Sequence, residues 1–309
     1  MKHNIKITII LIAMFLITQL IGLFVVNFYE TSNNELPYGM EPPEDINTQT
    51  SIISILFAFA LAITLFFVLI KIKAEKFIRI WFFAVTVIAM GLTINAFIIL
   101  LLKSPPNPYE YISILVFIIT IPLAYFKIFK RNIFVHNFTE LLIYPGIAAV
   151  FIPILNVLGI IILLLAISLY DIWAVWHSKF MQNMANFQIN KIGVFGGFFV
   201  PYAGKKVRQK IKLLKEKYKN KKDLERHFKK AKIKVNLAIL GGGDIIFPII
   251  TAGIFYKYLG LIPSLIITAS ATLGLLFIFI LARKGKFYPA MPFLTIAMYL
   301  GMMISWLII

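Results

Sequence analysis

Two aspartates, Asp171 and Asp244, lie within long apolar runs that otherwise carry almost no charge. A carboxylate inside a bilayer is costly, so an acid in such a position indicates a functional site. Two carboxyl groups in one desolvated site hold a single proton between them, because both cannot comfortably ionise. The ionised partner can then take a proton from water while the protonated one polarises a carbonyl, which is general acid–base catalysis of amide hydrolysis. This chemistry requires a fold that brings the two side chains together.

The composition is that of an integral membrane protein. Hydrophobic residues make up 60% of the 309 residues and charged residues only 14%, and many segments reach the roughly 20 apolar residues that cross a bilayer. We predict an all-α polytopic protein, multi-pass in the cell membrane, with nine transmembrane helices at 5–26, 51–70, 80–102, 112–126, 134–155, 157–176, 236–256, 260–282 and 287–309.

Charge alternates between the connections of these predicted spans. The connection 27–50 carries five acids and no Lys or Arg, whereas the long loop 177–235 holds 17 of the 31 basic residues and three acids. The positive-inside rule therefore predicts a cytosolic N-terminus and a C-terminus outside. The chain divides into a membrane part (1–176), a basic cytosolic or interfacial loop (177–235) and a second membrane part (236–309).

Several functional classes are disfavoured by what the sequence lacks. It has no cysteine, which excludes disulfides and thiol catalysis. The four histidines are scattered without a His-Glu-x-x-His pattern, and no phosphate-binding Gly-x-x-x-x-Gly-Lys-Ser/Thr loop occurs, so a zinc protease or ATP-driven chemistry is not expected. We expect neither a metal nor an organic cofactor. The basic charge flanks apolar runs, which indicates topology and contact with the lipid bilayer, and no nucleic-acid partner is expected.

The predicted topology places the two aspartates at similar depth. Span six runs inward, and five residues from Asp171 to Trp176 put the carboxyl roughly 8 Å from the cytosolic face. Span seven runs outward, and Asp244 follows Asn236 by about eight residues, or roughly 12 Å. Antiparallel neighbouring helices thus carry both acids to one level. The glycines just before Asp244 allow another backbone to approach closely.

Three short motifs, in order, resemble those of the presenilin and signal peptide peptidase family of intramembrane aspartyl proteases. Tyr170-Asp171 resembles the family's YD element, and Gly241-Gly242-Gly243-Asp244 fits its GxGD element. The segment Pro289-Ala290-Met291-Pro292 resembles its PAL element, with Met in place of Leu.

The resemblance implies an intramembrane aspartic endopeptidase with Asp171 and Asp244 as its catalytic pair. It would hydrolyse peptide bonds in transmembrane segments of single-span proteins, or in signal-peptide remnants, without a metal. The residues implied to support the site or bind substrate are Tyr170, Gly241, Gly242, Gly243, Pro289, Ala290, Met291 and Pro292. Unwound backbone at the last four would pair with an extended substrate, since a helix must open before its amide can be attacked.

Two positions depart from the family pattern. Met291 is close in volume to the usual Leu, and such exchanges are well tolerated. Gly242 stands where the family commonly has a larger apolar residue, which bears on substrate selectivity. In addition, Asp244-Ile-Ile-Phe-Pro248 is similar to signal peptide peptidase, whereas the orientation predicted from charge is similar to that of presenilin.

Other interpretations of these residues stay open at this stage. Each aspartate alone is compatible with an interfacial or helix-packing role, and Pro289 and Pro292 with helix-start prolines. The main alternative function is a proton- or cation-coupled transporter that uses the same acids. A prepilin-peptidase-like enzyme shares GxGD, but the PAL-like segment and nine spans argue against it.

Three further segments receive structural interpretations. His136 and Glu140 are predicted to be interfacial, and the apolar segment 195–202 to pack at the membrane surface. Residues 205–234 are predicted to form a basic helix attracted to anionic lipid.

Overall fold

The computed structural model describes residues 5–31, 36–40, 48–72, 74–102, 109–130, 132–177, 193, 195–202, 236–282 and 288–308. The apolar runs form helices because a helix satisfies its own backbone polar groups where no water is present. The described part of the chain contains nine: α1 (Ile5–Val26), α2 (Thr48–Lys71), α3 (Glu75–Leu102), α4 (Tyr109–Ile128), α5 (Ile133–Phe151), α6 (Val157–Trp176), α7 (Gly243–Leu259), α8 (Leu261–Leu281) and α9 (Met291–Ile308). A π-helical turn (Asn27–Thr31) and a 3₁₀ turn (Pro37–Gly39) follow α1.

Six of these helices, α1, α3, α5, α6, α8 and α9, are long and apolar enough to cross a bilayer. Helix α7 has 17 residues, which corresponds to about 26 Å at the rise of an α-helix. The structure therefore supports a mostly helical, multi-pass membrane protein. Nine crossings and the orientation of the termini stay predictions.

Predicted span seven starts at the wrong residue. Residues Asn236–Gly241 form a β-strand, β2, and helix α7 begins only at Gly243. Successive glycines disfavour a helix because they lose the most backbone entropy on ordering. Asp244 consequently lies in the first turn of α7, not two turns into a longer helix.

Strand β2 pairs with a strand that the sequence analysis missed. Strand β1 (Gly197–Tyr202) runs antiparallel to β2, in a register that sets Phe198 opposite Leu240 and Val200 opposite Ala238. All four of these side chains are buried, so the segment predicted to pack at the membrane surface instead adds alternate residues to the core. The all-α expectation is corrected to a mostly helical fold with a two-stranded sheet among the described residues. The predicted basic helix at 205–234 falls outside them.

The tight turn between α5 and α6 connects two helices that the sequence placed well. The side chain of Asn156 caps α6 by accepting a hydrogen bond from the backbone N–H of Gly159 at 2.7 Å. Such a cap satisfies one of the N–H groups that the first helical turn leaves without a partner.

Close helix packing sets the elements of the site side by side. Helix α9 contacts α8, α6 and α7, and α7 also contacts α6. At the contact of α8 with α9, a Cβ added to Gly274 would lie 2.6 Å from the Cβ of Ala297. Only glycine permits this approach, as is usual for small residues between membrane helices. The three helices that carry the sequence motifs therefore adjoin one another.

Candidate active site

Asp171 is held by the start of α9. Its side chain is buried, with the residue 5% exposed, and Oδ2 accepts a hydrogen bond from the backbone N–H of Met291 at 3.0 Å. The N–H of Ala290 also faces this carboxyl. The first N–H groups of a helix have no partner within the helix, so the carboxyl of Asp171 satisfies a donor that would otherwise be unpaired in the membrane.

Three further hydrogen bonds join α6 to α9, the longest of them from the Thr295 hydroxyl to the carbonyl of Leu164 at 3.5 Å. The hydroxyls of Ser168 and Thr295 lie 2.7 Å apart, and Tyr299 donates from its hydroxyl to the carbonyl of Ile161 at 2.6 Å. Together with the bond to Asp171 they run along the length of the antiparallel pair. This series of contacts fixes the register of α9 on α6, and with it the position of the PAL-like segment.

Asp244 lies at the junction of strand β2 and helix α7. The strand ends at Gly241, Gly242 is the N-cap, and the helix starts at Gly243. The junction is tied to the residue before β1, because the N–H of Gly242 donates to the carbonyl of Gly196 at 3.2 Å. Asp244 is half-buried, in a first turn whose free N–H groups and dipole favour an acidic side chain.

The first turns of α7 are supported from α1. Pro248 has no N–H to donate to the carbonyl of Asp244, so the helix lacks one of its hydrogen bonds there. One residue further on, the buried side chain of Gln19 donates from Nε2 to the carbonyl of Ile245 at 3.0 Å. The side chain of Gln19 thus braces the helix directly behind Asp244.

The structure brings the two predicted aspartates together. Helices α6 and α7 are in contact, and the carboxyls of Asp171 and Asp244 are close enough for their charges to interact. The two acids reach this arrangement from different local settings, one inside a helix and one at a helix start. Two carboxyls that interact in a largely desolvated setting disfavour simultaneous ionisation, which is the condition for sharing one proton.

The three glycines before Asp244 have different surroundings. A Cβ on Gly241 would lie 3.3 Å from Oδ2 of Asp244, and a Cβ on Gly242 only 2.8 Å from the hydroxyl oxygen of Tyr144. A Cβ on Gly243 would meet Phe247 at 3.8 Å, which is ordinary contact. Close approach therefore explains glycine at the first two positions and not at the third.

The PAL-like segment lies where α9 begins. Pro289 and Ala290 precede the helix, Met291 is its first residue, and Pro292 stands in its first turn. Prolines are well suited to these positions, which lack helical N–H partners in any case. The segment meets Asp171 through backbone atoms, and the Met291 side chain is buried at 4% exposure.

Tyr170 stands beside the pair without bonding to it. Its ring packs against Trp173, with the ring centroids 6.3 Å apart, and the side chain is half-buried. Among the described residues its hydroxyl makes no hydrogen bond to either aspartate. The structure thus keeps Tyr170 near Asp171 but gives it a packing contact with another aromatic residue.

A polar cluster on α5, predicted to be interfacial, is buried instead. Glu140 is 1% exposed and pairs with Lys127 of α4, with 2.5 Å between Oε1 and Nζ. The same Oε1 lies 3.5 Å from Nε2 of His136, and that nitrogen is 2.8 Å from the carbonyl oxygen of Gly197 in β1. The cluster therefore ties helices α4 and α5 to strand β1, which forms a hairpin with β2.

The neighbouring Asn137 adds to this anchorage. Its side-chain amide donates to the carbonyl of Phe199 at 2.8 Å and accepts from the N–H of the same residue at 2.9 Å. The sequence contained one sign of the buried polar cluster: His136, Glu140 and Tyr144 recur at intervals of four residues and therefore share one face of an apolar helix.

Within the described residues, no group of three or more His, Asp or Glu side chains is arranged to hold a metal ion. The junction of α6, α7 and α9 presents two carboxyls within electrostatic range of each other, one of which accepts from a backbone N–H.

The sequence matches the model of a known protein family. Residues 12–309 match the family described as signal-peptide peptidase, presenilin aspartyl protease. No curated protein sequence matches the chain.

Two solved structures share the fold. A presenilin family intramembrane aspartate protease in a C222 crystal form is 17% identical, with a TM-score of 0.62 over 98% of this chain and 99% of that one. A second such structure, in a P2 crystal form, is 19% identical, with a TM-score of 0.60 and 97% coverage of both chains. The resemblance drawn from three short motifs is confirmed over nearly the whole chain. The chain belongs to the signal-peptide peptidase and presenilin family of intramembrane aspartyl proteases.

Proposed function

We propose that Asp171 and Asp244 form the catalytic pair of this aspartic endopeptidase and hydrolyse peptide bonds within the transmembrane segments of single-span proteins or signal-peptide remnants. The observation that carries the proposal is the contact of α6 with α7, which sets the two carboxyls within electrostatic range of each other, with that of Asp171 fixed by the N–H of Met291. No observation favours a transporter over the family's proteolytic chemistry.

In the proposed reaction the pair enters with one proton and leaves with one. The ionised carboxyl removes a proton from water, whose oxygen attacks the amide carbon, while the protonated carboxyl gives its proton to the carbonyl oxygen. As the C–N bond of the resulting tetrahedral diol breaks, the carboxyl that took the water proton gives it to the leaving nitrogen. One hydroxyl of the diol passes its proton to the other, ionised carboxyl and becomes the new carbonyl, so the pair again holds one proton. The two carboxyls titrate as one unit, so acid and base are roles of the pair.

The surrounding residues support these steps. A helical N–H that donates to Asp171 stabilises its ionised form, since hydrogen bonds to a charged group are among the stronger ones. The absence of a side chain at Gly241 leaves the Asp244 carboxyl room beside the strand end. The non-helical backbone at Pro289 and Ala290 is suited to lie alongside an extended substrate.

We also propose that the protein crosses the cell membrane nine times with its N-terminus in the cytosol. Support comes from the basic residues of alternate connections and from the nine helices of the described ranges. This orientation places the meeting point of α6 and α7 towards the cytosolic side.

The proposed function is tested by incubating the purified protein with a panel of single-span peptides reconstituted in both orientations. Mass spectrometry should find paired fragments cut within the apolar segment, and a transition-state mimic with a hydroxyl at the scissile position should suppress them. An ion-coupled transporter would leave every peptide intact. Fragments that persist unchanged with a saturating mimic would argue against an aspartic mechanism.

A further inference from the structure

Tyr144 occupies the space into which a side chain at position 242 would extend. A Cβ on Gly242 would lie 2.8 Å from the Tyr144 hydroxyl oxygen, 3.0 Å from Cε1 and 3.2 Å from Cζ. Real Cβ atoms are essentially never found under 3.0 Å from another heavy atom, so even alanine would collide there. Position 242 is two residues before Asp244, and the end of the Tyr144 ring therefore abuts the turn that carries this aspartate.

The same ring contacts the hairpin on which that turn depends. It packs edge-on against Phe198 of β1, with centroids 6.2 Å apart. Its hydroxyl also lies 3.9 Å from where a Cβ of Gly196 would be, and Gly196 is the residue whose carbonyl accepts from Gly242. The end of the Tyr144 ring thus lies beside both residues of the hydrogen bond that extends the β1–β2 pair towards Asp244.

The hydroxyl of Tyr144 has an unusual setting. Tyr144 is 4% exposed, and the hydroxyl makes no well-formed hydrogen bond to any described residue. Glu140, one helical turn earlier, lies near enough for a weak side-chain hydrogen bond with it, and Asp244 is within electrostatic range. The hydroxyl is thus the part of Tyr144 that lies nearest to position 242.

The part of α5 that carries Tyr144 is anchored by neighbouring polar contacts. Glu140 on the same face of α5 is engaged by Lys127, and His136 is bonded to Gly197 of β1. These contacts fix the helix, the strand and the ring between them as one unit. A rigid unit of this kind can set the position of the turn that leads into α7.

We propose that Tyr144 is the positioning residue of Asp244: it fills the space beside Gly242 and thereby fixes the turn that holds the carboxyl against Asp171. The inference rests on the proposed function, since it assigns Asp244 to the reaction. Misplacement of a reacting group by even about 1 Å lowers the rate roughly a hundredfold. A change at Tyr144 should therefore lower kcat while KM, which reports binding of the long apolar substrate, stays within about twofold.

The test is a size-compensation series at positions 144 and 242. Gly242→Ala alone should lower kcat at least about tenfold, because its methyl group collides with the ring. Tyr144→Leu alone, which removes the ring end, should lower kcat several-fold. The double variant should recover most of the activity that Gly242→Ala loses, since the leucine leaves room for the methyl group. Tyr144→Phe, which keeps the ring, should be milder than Tyr144→Leu.

The outcomes separate this inference from the proposed function. Cleavage by the wild type and its loss in Asp244→Asn test the proposed function by themselves. Suppose that both results are obtained. If Tyr144→Leu then fails to raise the kcat of Gly242→Ala, or if Tyr144→Leu alone changes KM and not kcat, Tyr144 does not position Asp244. If Gly242→Ala does not fold, the deciding measurement is the affinity of folded Tyr144→Phe and Tyr144→Leu for the hydroxyl-bearing mimic. An affinity for the mimic that falls in parallel with kcat supports the inference, and an affinity equal to that of the wild type overturns it.

Discussion

The backbone N–H of Met291 donates to Oδ2 of Asp171 at 3.0 Å, across the contact of α9 with α6. This bond connects two motifs that lie 120 residues apart in the chain. It gives the PAL-like segment a physical role at the site: the start of α9 offers a donor that its own helix cannot use. Because the contact is made by backbone, it explains why Met291 can stand where Leu is usual.

Replacement of Met291 tests that role. Met291→Pro removes the N–H at a helix start where proline is otherwise tolerated, and it brings the ring towards the carboxyl. A hydrogen bond to a charged group contributes about 1.5–3 kcal/mol, so kcat should fall at least about tenfold. Cleavage rates of a fluorogenic transmembrane peptide provide the measurement.

Two matched variants control for the side chain. Met291→Leu keeps the N–H and nearly the volume, and it should remain close to wild type. Met291→Ala keeps the N–H but loses buried side-chain contacts, so it should lower the thermal stability more than kcat. If Met291→Pro were as active as Met291→Ala, the hydrogen bond would have no catalytic importance.

The glycine at position 241 gives a second prediction. A methyl group there would lie 3.3 Å from Oδ2 of Asp244, whereas at Gly243 it would meet Phe247 at 3.8 Å. Gly241→Ala should therefore reduce kcat several-fold by displacing the carboxyl, and Gly243→Ala should have a smaller effect. Initial rates at saturating peptide compare the two directly, and an equal loss in both would contradict the steric argument.

The buried ion pair of Lys127 with Glu140 predicts a large effect on stability. Their side chains are 5% and 1% exposed, so Glu140→Gln leaves a buried ammonium without its carboxylate. Breaking such a pair from one side costs about 3–5 kcal/mol, and thermal unfolding in detergent should shift down by many degrees. The double variant Lys127→Met with Glu140→Gln should regain much of the loss.

A more exposed pair supplies the control for that experiment. Lys257 and Glu30 lie 3.0 Å apart, with side chains 29% and 13% exposed. Water reaches this pair, so Glu30→Gln should cost only about 1 kcal/mol or less. A loss as large as that of Glu140→Gln would show that burial does not govern these interactions.

The hydrogen bond between Ser168 and Thr295 provides a double-mutant cycle across α6 and α9. Ser168→Ala and Thr295→Val each remove one partner, and bonds of this kind between membrane helices average about 0.6 kcal/mol. The coupling energy from steric-trap unfolding should be of that size. A coupling near zero would mean that this hydrogen bond does not help to fix the register of the two helices.

The catalytic candidates could be predicted from the sequence because charged residues are rare in the apolar segments that cross a bilayer. Asp171 and Asp244 stood out against apolar surroundings, and the bounds of α1 and α6 coincide with the predicted spans. The PAL-like segment was identified from its resemblance to the family motif, and its hydrogen bond to Asp171 came from the structure. Membrane helices are unusually predictable in this way, since length and hydropathy follow from the thickness of the hydrocarbon.

The strands β1 and β2, and the polar residues of α5 that anchor them, could not be predicted from hydropathy and charge. Phe198 and Val200 alternate with outward residues over a strand too short to separate from an apolar loop, and its partner β2 looked like the start of a helix. Glu140 was predicted to be interfacial and Tyr144 was not singled out, because burial of a polar group depends on partners from α4 and β1 that no local pattern identifies. Their spacing of four residues was the one available sign.

The central claim is that both carboxyls act on one peptide bond. Asp171→Asn and Asp244→Asn should each retain a wild-type unfolding temperature and detergent elution volume, whereas Glu30→Gln should stay active. Cleavage of a single-span peptide should be detected by mass spectrometry with the wild type and Glu30→Gln, and with neither asparagine variant. A wild-type rate in either asparagine variant would contradict the pairing of Asp171 with Asp244.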